Sequence, residues 1–427
     1  MVCFFVSVLL AACGSGSEGS DGSISIVNVT AKALEAPVYG ENDPAASSAA
    51  TGANGFAFRL SAALIKEEGS IGENFVCSPY SVWLPLAALL NATDAQYTPA
   101  LLAAIGAAGI SQDDVNRAAS RMLYDMTNFG GQDDENYFNP LKIANAIFVG
   151  NNVTLRKDFA QAFMDFYRGY SINVDFSSRD AVDAVNRWAS DNTEGLITNI
   201  IQEFDLSTVA AIANAIYFSD RWSWEFNPEE TKEGVFHAQA GDTTAQYMLR
   251  EGSSQTYYED GRVKAMPLWF KKSGGLYIML PKTGSAEELL SSMTKESFDE
   301  IWQNSYLAEG KLLLPRFSTE RGSLDLVESL KILGVPLFED GSLSGLLMEE
   351  YIQVQLTSAV QKALIRVDEK GTTAAAVTVM VGDGSAGPQP NKPFEMVCDR
   401  PFVFILFGQT YDGGRQILFT GIVNRPE

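Results

Sequence analysis

The chain has few residues that could act as a nucleophile's base or as metal ligands. It contains a single histidine, His237, in the stretch EGVFHAQAG, so a Ser-His or Cys-His catalytic pair would have to use this residue. A site with several histidine ligands is excluded, and no H-E-x-x-H, C-x-x-C or G-x-S-x-G motif is present. We therefore expect neither a metal nor another cofactor, and we expect His237 to lie at the surface or on a strand edge.

The cysteines divide into an N-terminal pair and a pair within the rest of the chain. Cys77 and Cys398 both stand among apolar residues, which is typical of buried free thiols. A disulfide between them stays chemically open, because the geometry that it needs cannot be obtained from the sequence.

The N-terminus, MVCFFVSVLLAACGSGSEGS, is typical of an export signal. The apolar run from Phe4 to Ala12 is too short to span a bilayer as a helix but has the length of a signal-peptide core. The ending Leu-Ala-Ala-Cys-Gly resembles the lipobox of bacterial lipoproteins, in which the cysteine, here Cys13, is lipidated. We predict a lipoprotein-type signal peptide over residues 1–12, with an ordinary secretory signal cleaved nearby as the alternative. In either case the protein is exported, and it is either lipid-anchored at the cell envelope or surface or secreted.

A flexible tether is predicted to follow the signal. Residues 13–53 include GSGSEGSDGS and ENDPAASSAATGANG, whose Gly, Ser, Ala and acidic composition cannot form a core. The folded domain is predicted over residues 54–427. The formal net charge of −22 argues against nucleic acid as a partner, because phosphate binding requires clustered lysine and arginine.

Helical patterns dominate the first third of this domain and strand patterns the remainder. The stretch NGFAFRLSAALIKEEG places Phe56, Leu60, Ala63 and Leu64 on one helical face. Ser78 is a predicted N-cap, with Pro79 at the first helical position. PFVFILFG and RQILFTGIV, joined by QTYDGG, predict a closing hairpin turned at Asp412-Gly413. Without regular βαβ alternation, the pattern indicates an α+β domain with large, mostly antiparallel sheets.

A set of segments in this order resembles the serpins, the serine protease inhibitor family. They are NFVCSPYSVWLPLAALL, NAIYFSDRW, KLLLPRF, LGVPLFEDGSLSGL, VDEKGTTAAA and EMVCDRPFVFIL. The resemblance implies a large central sheet, further β-sheets, about eight or nine helices and an exposed reactive-centre loop over about residues 369–395. In that family a protease cleaves the loop, and the upstream part then enters the central sheet as a new strand, carrying the acylated protease with it.

The hinge of such a loop can be checked against its physical requirements. Gly371 supplies conformational freedom, and the residues after it are small, uncharged and free of proline, as a strand inside a sheet requires. Alternation places Thr372, Ala374, Ala376 and Thr378 on the face that would enter the packed interior. The resemblance assigns to the hinge Glu369, Lys370, Gly371, Thr372, Thr373, Ala374, Ala375 and Ala376.

The family's spacing from Gly371 places the scissile bond between Ser385 and Ala386. A small residue before the cut implies an elastase-like or subtilisin-like target protease. The loop is about five residues longer than the family's common form, which could move the cut. Met380, suited to a chymotrypsin- or elastase-like protease, and Asp383, suited to an acid-specific one, are the alternatives.

Further residues match family positions around the opening of the sheet. The resemblance assigns Ser78, Ser81 and Asn214 to the shutter beneath the sheet, and Trp222 to the breach where the loop first enters. At the position that pairs with Asn214, where the family usually has histidine, this chain has Gln361. Glutamine can still donate and accept hydrogen bonds, but it removes any pH sensitivity that histidine would provide.

Three functional hypotheses follow. The first is a suicide-substrate inhibitor of serine endopeptidases, with cysteine endopeptidases left open as targets, acting as a monomer whose only membrane contact is a lipid anchor. The second is a non-inhibitory binding protein of the same fold, cleaved without forming a complex. The third is a serine hydrolase using Ser385 and His237, whose activity His237→Ala would abolish.

Overall fold

The computed structural model describes residues 2–13, 43–68, 72–128, 141–272, 274–320, 323–371, 393–410 and 414–426. The helices in these ranges are α1 (Pro44–Glu68), α2 (Pro79–Leu89), α3 (Thr98–Ala104), α4 (Gln112–Asn128), α5 (Lys157–Tyr167), α6 (Arg179–Asn192), α7 (Ala286–Ser291), α8 (Lys295–Gln303) and α9 (Val327–Ile332). The strands are β1 (Val2–Cys13), β2 (Phe75–Cys77), β3 (Leu141–Gly150), β4 (Gly169–Val174), β5 (Thr208–Phe218), β6 (Lys232–Ala238), β7 (Gly241–Glu259), β8 (Val263–Trp269), β9 (Gly275–Pro281), β10 (Tyr306–Pro315), β11 (Phe317–Glu320), β12 (Leu324–Asp325), β13 (Gln353–Val367), β14 (Phe394–Val397), β15 (Phe402–Gln409) and β16 (Arg415–Val423).

The strands form two sheets. The first, called the central sheet below, has the order β11-β13-β1-β5-β3-β4, with β12 also paired to β13. All of its pairs are antiparallel except β3 with β4. The second has the order β14-β10-β7-β8-β9-β15-β16-β2, with β6 paired to β7. The predicted α+β class with a large, mostly antiparallel sheet is confirmed.

The core lies on both faces of the central sheet, as β5 illustrates. Every residue of β5 is buried. Ile212, Ile216 and Phe218 join the main apolar cluster, whereas the alternate alanines between them join a second cluster formed with α6. This period of two sends alternate residues of β5 to opposite faces, and the alanines on the α6 side let that helix pack closely against the sheet.

Two helix starts show how local sequence sets the elements. Ser78 caps α2 by accepting a hydrogen bond from the Ser81 N–H, and Pro79 follows, as the sequence predicted. Asp43 Oδ1 accepts from the Ala46 N–H at 3.1 Å, and α1 begins at Pro44. The last ten residues of the predicted tether therefore lie in a helix, because alanine-rich sequence behind an aspartate cap favours helix over coil.

The closing hairpin is confirmed by the antiparallel pairing of β15 with β16. Its proposed turn residues, Asp412-Gly413, lie outside the described residues. Across the described ranges, no helix is both long enough and apolar enough to cross a bilayer.

The N-terminal strand β1 has a place in the fold that the sequence did not suggest. Val2–Cys13 lies between β13 and β5 and is antiparallel to both. The segment contains no charged residue and no proline, and its valines and phenylalanines favour strand. It meets the requirements of a central strand as well as those of a signal-peptide core, and the signal peptide over residues 1–12 remains a prediction.

Candidate functional site

The hinge leaves β13 through a tight turn. The Asp368 N–H donates to Gly371 O at 3.2 Å, and the Gly371 N–H donates to Asp368 O at 3.3 Å, with Glu369 and Lys370 at the corner. The Asp368 carboxylate accepts from the Lys370 N–H at 2.9 Å and holds the turn closed. The chain therefore reverses direction within four residues and points back along the central sheet.

Trp222 and Phe226 donate hydrogen bonds to the backbone carbonyl groups of this turn. Trp222 Nε1 donates to Asp368 O at 2.8 Å, and the Trp222 N–H donates to Lys370 O at 3.1 Å. The Phe226 N–H donates to Glu369 O at 2.8 Å. The indole is buried and stacks on Phe270, with ring centroids 4.6 Å apart and planes 8° from parallel. Trp222 thus lies directly against the hinge turn; its assignment to the breach stays a prediction.

The carboxylate of Glu369 anchors the turn to residues outside it. Arg316 Nε donates to both carboxylate oxygens, at 2.7 and 2.9 Å, and the Thr231 hydroxyl donates to Oε1. Burial of the carboxylate would raise its pKa, but the hydrogen bonds from Arg316 and Thr231 lower the pKa of Glu369 below its usual value. The hinge is therefore held by a buried, charge-assisted contact.

We expect this contact to weaken in acid. Because the folded-state pKa of Glu369 is lowered, its contribution to stability is present above the unfolded-state value of about 4.5 and is lost as the pH falls through the folded-state pKa. Glu369→Gln should lower the thermal unfolding midpoint near neutral pH, and the difference from the unmodified protein should shrink between pH 5 and pH 3. The exposed carboxylate Glu203 offers a matched control, Glu203→Gln, which should change the midpoint little at any pH. A Glu369→Gln difference that stays constant with pH would contradict this account.

The backbone at position 371 requires a glycine. Its φ is +125°, and a Cβ built on it would lie 2.5 Å from Asp220 O and 2.8 Å from the Trp222 nitrogen. The residue also forms a β-bridge with Arg221 on one side and with Asp368 on the other. Only glycine allows both the conformation and this close approach.

The region beneath the hinge is a slot in the central sheet, defined as the space between β5 and β13. Strand β1 lies in it, paired with β13 from Ile365 to Gln353 and with β5 from Phe218 to Thr208. Val6 of β1 pairs with Asn214 on one side and with Gln361 on the other. Asn214 and Gln361 are thus two strand spacings apart, about 10 Å, and the direct pair implied by the resemblance does not form here.

Gln361 instead bonds to the start of α2. Its side-chain oxygen accepts from the Ser78 N–H at 3.3 Å, and its Nε2 donates to Ser78 O at 3.1 Å. The Ser78 hydroxyl donates to Leu418 O at 2.7 Å. Gln361 and Ser78 are fully buried, so these bonds tie β13 to the helix beneath the slot.

Asn214 belongs to a different network. Its Nδ2 donates to Asn145 Oδ1 at 2.8 Å, and Asn145 Nδ2 donates to Tyr167 O at 2.7 Å. Within the described part of the chain, Asn214 Oδ1 and the hydroxyl of Ser81 have no hydrogen-bond partner although both are buried. Such groups each cost about 1–3 kcal/mol, which indicates an arrangement that another state of the sheet could improve.

Asn145 was not identified from the sequence, although a signal for it exists. The tetrapeptide Ala-Asn-Ala-Ile occurs at residues 144–147 and again at 213–216, and the two asparagines are paired residues of β3 and β5. A single amide side chain in the middle of each of two apolar strands indicates two buried polar groups that hydrogen-bond to each other. Arg316 and Thr231 carried no such signal, because they come near Glu369 only through the fold.

Several predicted site residues lie outside the described residues. They are the hinge residues Thr372, Thr373, Ala374, Ala375 and Ala376 and the candidates for the cleaved bond, Met380, Asp383, Ser385 and Ala386. The described site therefore consists of the hinge turn, the slot and the polar groups around them.

The remaining candidates for chemistry are accounted for by structure. His237 lies on β6, an edge strand, with its side chain 57% exposed and its Nδ1 2.9 Å from Asp242 Oδ1, as expected for a surface residue. Cys77 and Cys398 are buried free thiols, as predicted, and burial raises the pKa of Cys77 to about 11. Among the described residues, no group of His, Cys, Asp or Glu side chains is arranged to hold a metal ion.

Comparisons with known proteins agree with this geometry. The family model described as Serpin (serine protease inhibitor) matches residues 51–426. An uncharacterized serpin-like protein from Thermococcus kodakarensis is 30% identical over 291 residues, which make up 67% of this chain and 67% of that protein. Alpha-1-antitrypsin 1-4 from Mus musculus is 27% identical over 374 residues, covering 86% of this chain and 87% of its own length. The crystal structure of human glycosylated kallistatin is similar in fold alone, with a TM-score of 0.74 and 22% identity over 90% of this chain and 99% of that one.

Proposed function

The chain belongs to the serpin family, and on this premise we propose that it is a suicide-substrate inhibitor of serine endopeptidases, with cysteine endopeptidases as a further target class. The segment after Gly371 would be offered to the protease as a substrate. Once it is cleaved, its upstream part enters the central sheet and holds the acylated protease against the far end of the molecule.

One observation carries this proposal: the central sheet accepts a complete additional strand at the hinge. The slot between β5 and β13 holds 12 residues of β1 with antiparallel pairing on both sides. Gly371 stands directly above it, already bridged to both flanking segments. A strand that starts at Gly371 would therefore continue straight into the slot, which is the movement that trapping requires.

The covalent step belongs to the protease and follows ordinary acyl transfer. The catalytic serine of the protease would attack the carbonyl carbon of Ser385, and the Ala386 nitrogen would leave as a protonated amine, so that an ester joins the two proteins. Insertion of the loop then competes with hydrolysis of this ester. Met380 and Asp383 remain alternative positions for the cut, and the proposed target is elastase-like or subtilisin-like.

The same proposal includes the site of action. Removal of residues 1–12 and lipidation of Cys13 would hold a monomeric inhibitor at a bacterial cell surface, behind a tether that now ends where α1 begins. The working form is then the chain that begins at Cys13, called the processed chain below.

A panel of proteases tests the proposal. The processed chain is incubated with elastase-, subtilisin-, trypsin- and chymotrypsin-like enzymes, and each mixture is denatured and separated by size. We expect a denaturant-resistant complex with an elastase- or subtilisin-like enzyme, and mass spectrometry of the released C-terminal peptide should place its first residue at Ala386. Cleavage by every enzyme without a complex would overturn inhibition and favour the non-inhibitory alternative.

The variant His237→Ala distinguishes the serine hydrolase hypothesis from the inhibitor hypothesis. His237 is exposed on β6, and its described partner is Asp242. His237→Ala should therefore leave inhibition unchanged, whereas ester turnover that disappears in this variant would favour an enzyme.

A further inference from the structure

Gly371 and strand β1 lie one behind the other between the same two flanking segments. Gly371 is bridged to Asp368 and to Arg221. Three residues further down each flanking strand, Val2 of β1 is paired with Ile365 and with Phe218. On both flanking segments, the partner of Gly371 and the partner of Val2 are three residues apart, which leaves two strand positions between Gly371 and Val2.

This spacing defines what an inserting loop would meet. Extending the register of the Asp368–Gly371 bridge one residue at a time would bring Thr372 opposite Val367 and Thr373 opposite Arg366. Ala374 would then fall opposite Ile365, where Val2 lies, and Val381 opposite Ser358, where Leu9 lies. The loop and β1 therefore require the same backbone partners, and no more than two residues of the loop can enter while β1 is in place.

The extent of β1 matches that of the competing segment. Its pairing with β13 runs from Ile365 to Gln353. The inserted loop, in the register above, would reach Val354 at Ser385, the residue before the proposed cut. Strand β1 and the loop segment 372–385 both lack proline, and Asp383 is the one charged residue in the two segments.

We propose that the N-terminal segment Val2–Cys13 is an internal competitor of the reactive loop, which keeps the unprocessed chain from trapping proteases. Cleavage before Cys13 removes the competitor and so makes the slot available at the stage when the protein is exported. The inference rests on the proposed inhibitory function, but it concerns a segment that takes no part in that mechanism.

The polar groups beside the slot support two states of the sheet. With β1 in place, Asn214 Oδ1 and the Ser81 hydroxyl are buried without a partner among the described residues. Asn214 and Gln361 are both paired with Val6, so they stand at the same level of the sheet. When β1 leaves and β5 closes on β13, Gln361 Nε2 comes within reach of Asn214 Oδ1. The empty slot can thus close with a hydrogen bond that the filled slot lacks.

The test compares the processed chain with two forms of the full chain, produced without export so that residues 1–12 remain. The first is unmodified. The second carries Val6→Pro and Val8→Pro, which remove two backbone donors from the middle of β1 and prevent central pairing. Val6→Thr with Val8→Thr is the matched control, because it keeps the β-branched shape and both backbone donors.

The readout of activity is the denaturant-resistant complex with the protease selected by the panel. We expect the processed chain and the proline variant to form it, and the unmodified full chain and the threonine control to be cleaved with at least 10-fold less complex, on the order of 1.4 kcal/mol in partitioning. Equal complex formation by all four chains would overturn the competitor. If the unmodified full chain formed the complex and the processed chain did not, the proposed competition would also be overturned.

Thermal unfolding gives a second readout that does not depend on inhibition. A filled slot stabilises the folded state, so the full chain should unfold about 10 °C or more above the processed chain, with the proline variant close to the latter. If no chain traps any protease but this difference is present, the proposed function fails and the occupancy of the slot stands. Equal midpoints would refute the occupancy. A difference that appears only with oligomers on size-exclusion chromatography would show exchange between copies and contradict an internal competitor.

Discussion

In the processed chain, Ala374→Glu should abolish the denaturant-resistant complex, whereas Thr373→Glu at the neighbouring position should retain it. In the register set by the hinge turn, Ala374 would insert between Ile365 and Phe218, which are both fully buried in the main core. A carboxylate there loses its hydration without gaining a partner, at a cost of several kcal/mol. Thr373 would face the other way, opposite the exposed Arg366. The same substitution thus meets the buried core at one position and an exposed position at the next.

The measured quantity is the number of inhibitor molecules consumed for each protease trapped. Slower insertion leaves more time for the ester to hydrolyse, and a barrier higher by about 2.7 kcal/mol shifts this partition about 100-fold. We expect a rise of that order for Ala374→Glu and a change within about threefold for Thr373→Glu. Loss of the complex in both variants, or in neither, would contradict the register and with it the insertion of the loop into this slot.

Gly371→Ala should destabilise the hinge more than any other single methyl group added near it. The added Cβ would stand 2.5 Å from Asp220 O and 2.7 Å from Arg221 Cα, at a φ of +125°. We expect a loss of about 2–4 kcal/mol from backbone strain and displacement of the turn from Trp222. The thermal midpoint of the processed chain should fall, and more inhibitor should be consumed for each protease trapped.

Gly195→Ala separates the two causes. Gly195 also has a positive φ, +76°, but among the described residues, its two chain neighbours aside, no atom lies within 4 Å of its Cβ position. This control carries the conformational penalty alone, about 1–2 kcal/mol, and should leave inhibition unchanged. Equal effects of the two substitutions on inhibition would show that the close approach of Gly371 to Asp220 and Trp222 has no role in the hinge.

Local patterns predicted those parts of the molecule that depend on neighbouring residues in sequence. The cap at Ser78, the apolar face of α1 and the closing hairpin each follow from a few adjacent residues, and the structure contains all three. The α+β class followed from the order of these elements. The boundary of α1 was less accessible, since the alanine-rich Pro44–Ala53 satisfies both a helix and a linker composition.

The arrangement around the slot could not be predicted in this way, because it depends on contacts between distant strands. Glu369 was identified from the hinge motif, but its partner Arg316 is 53 residues away. Asn214 and Gln361 were expected to meet, and the structure places a strand between them. That strand, β1, has a composition that suits both an export signal and a central strand, and only its pairing shows the second role.

The central claim, that the cleaved loop enters the slot and traps the protease, is tested most directly by the mass of the complex. The processed chain is mixed with an elastase-like protease, quenched in denaturant and analysed intact. We predict one covalent species that contains the protease and residues 13–385, together with the free peptide from Ala386 to Glu427. A mixture of unmodified protease and cleaved chain, with no covalent species, would contradict it.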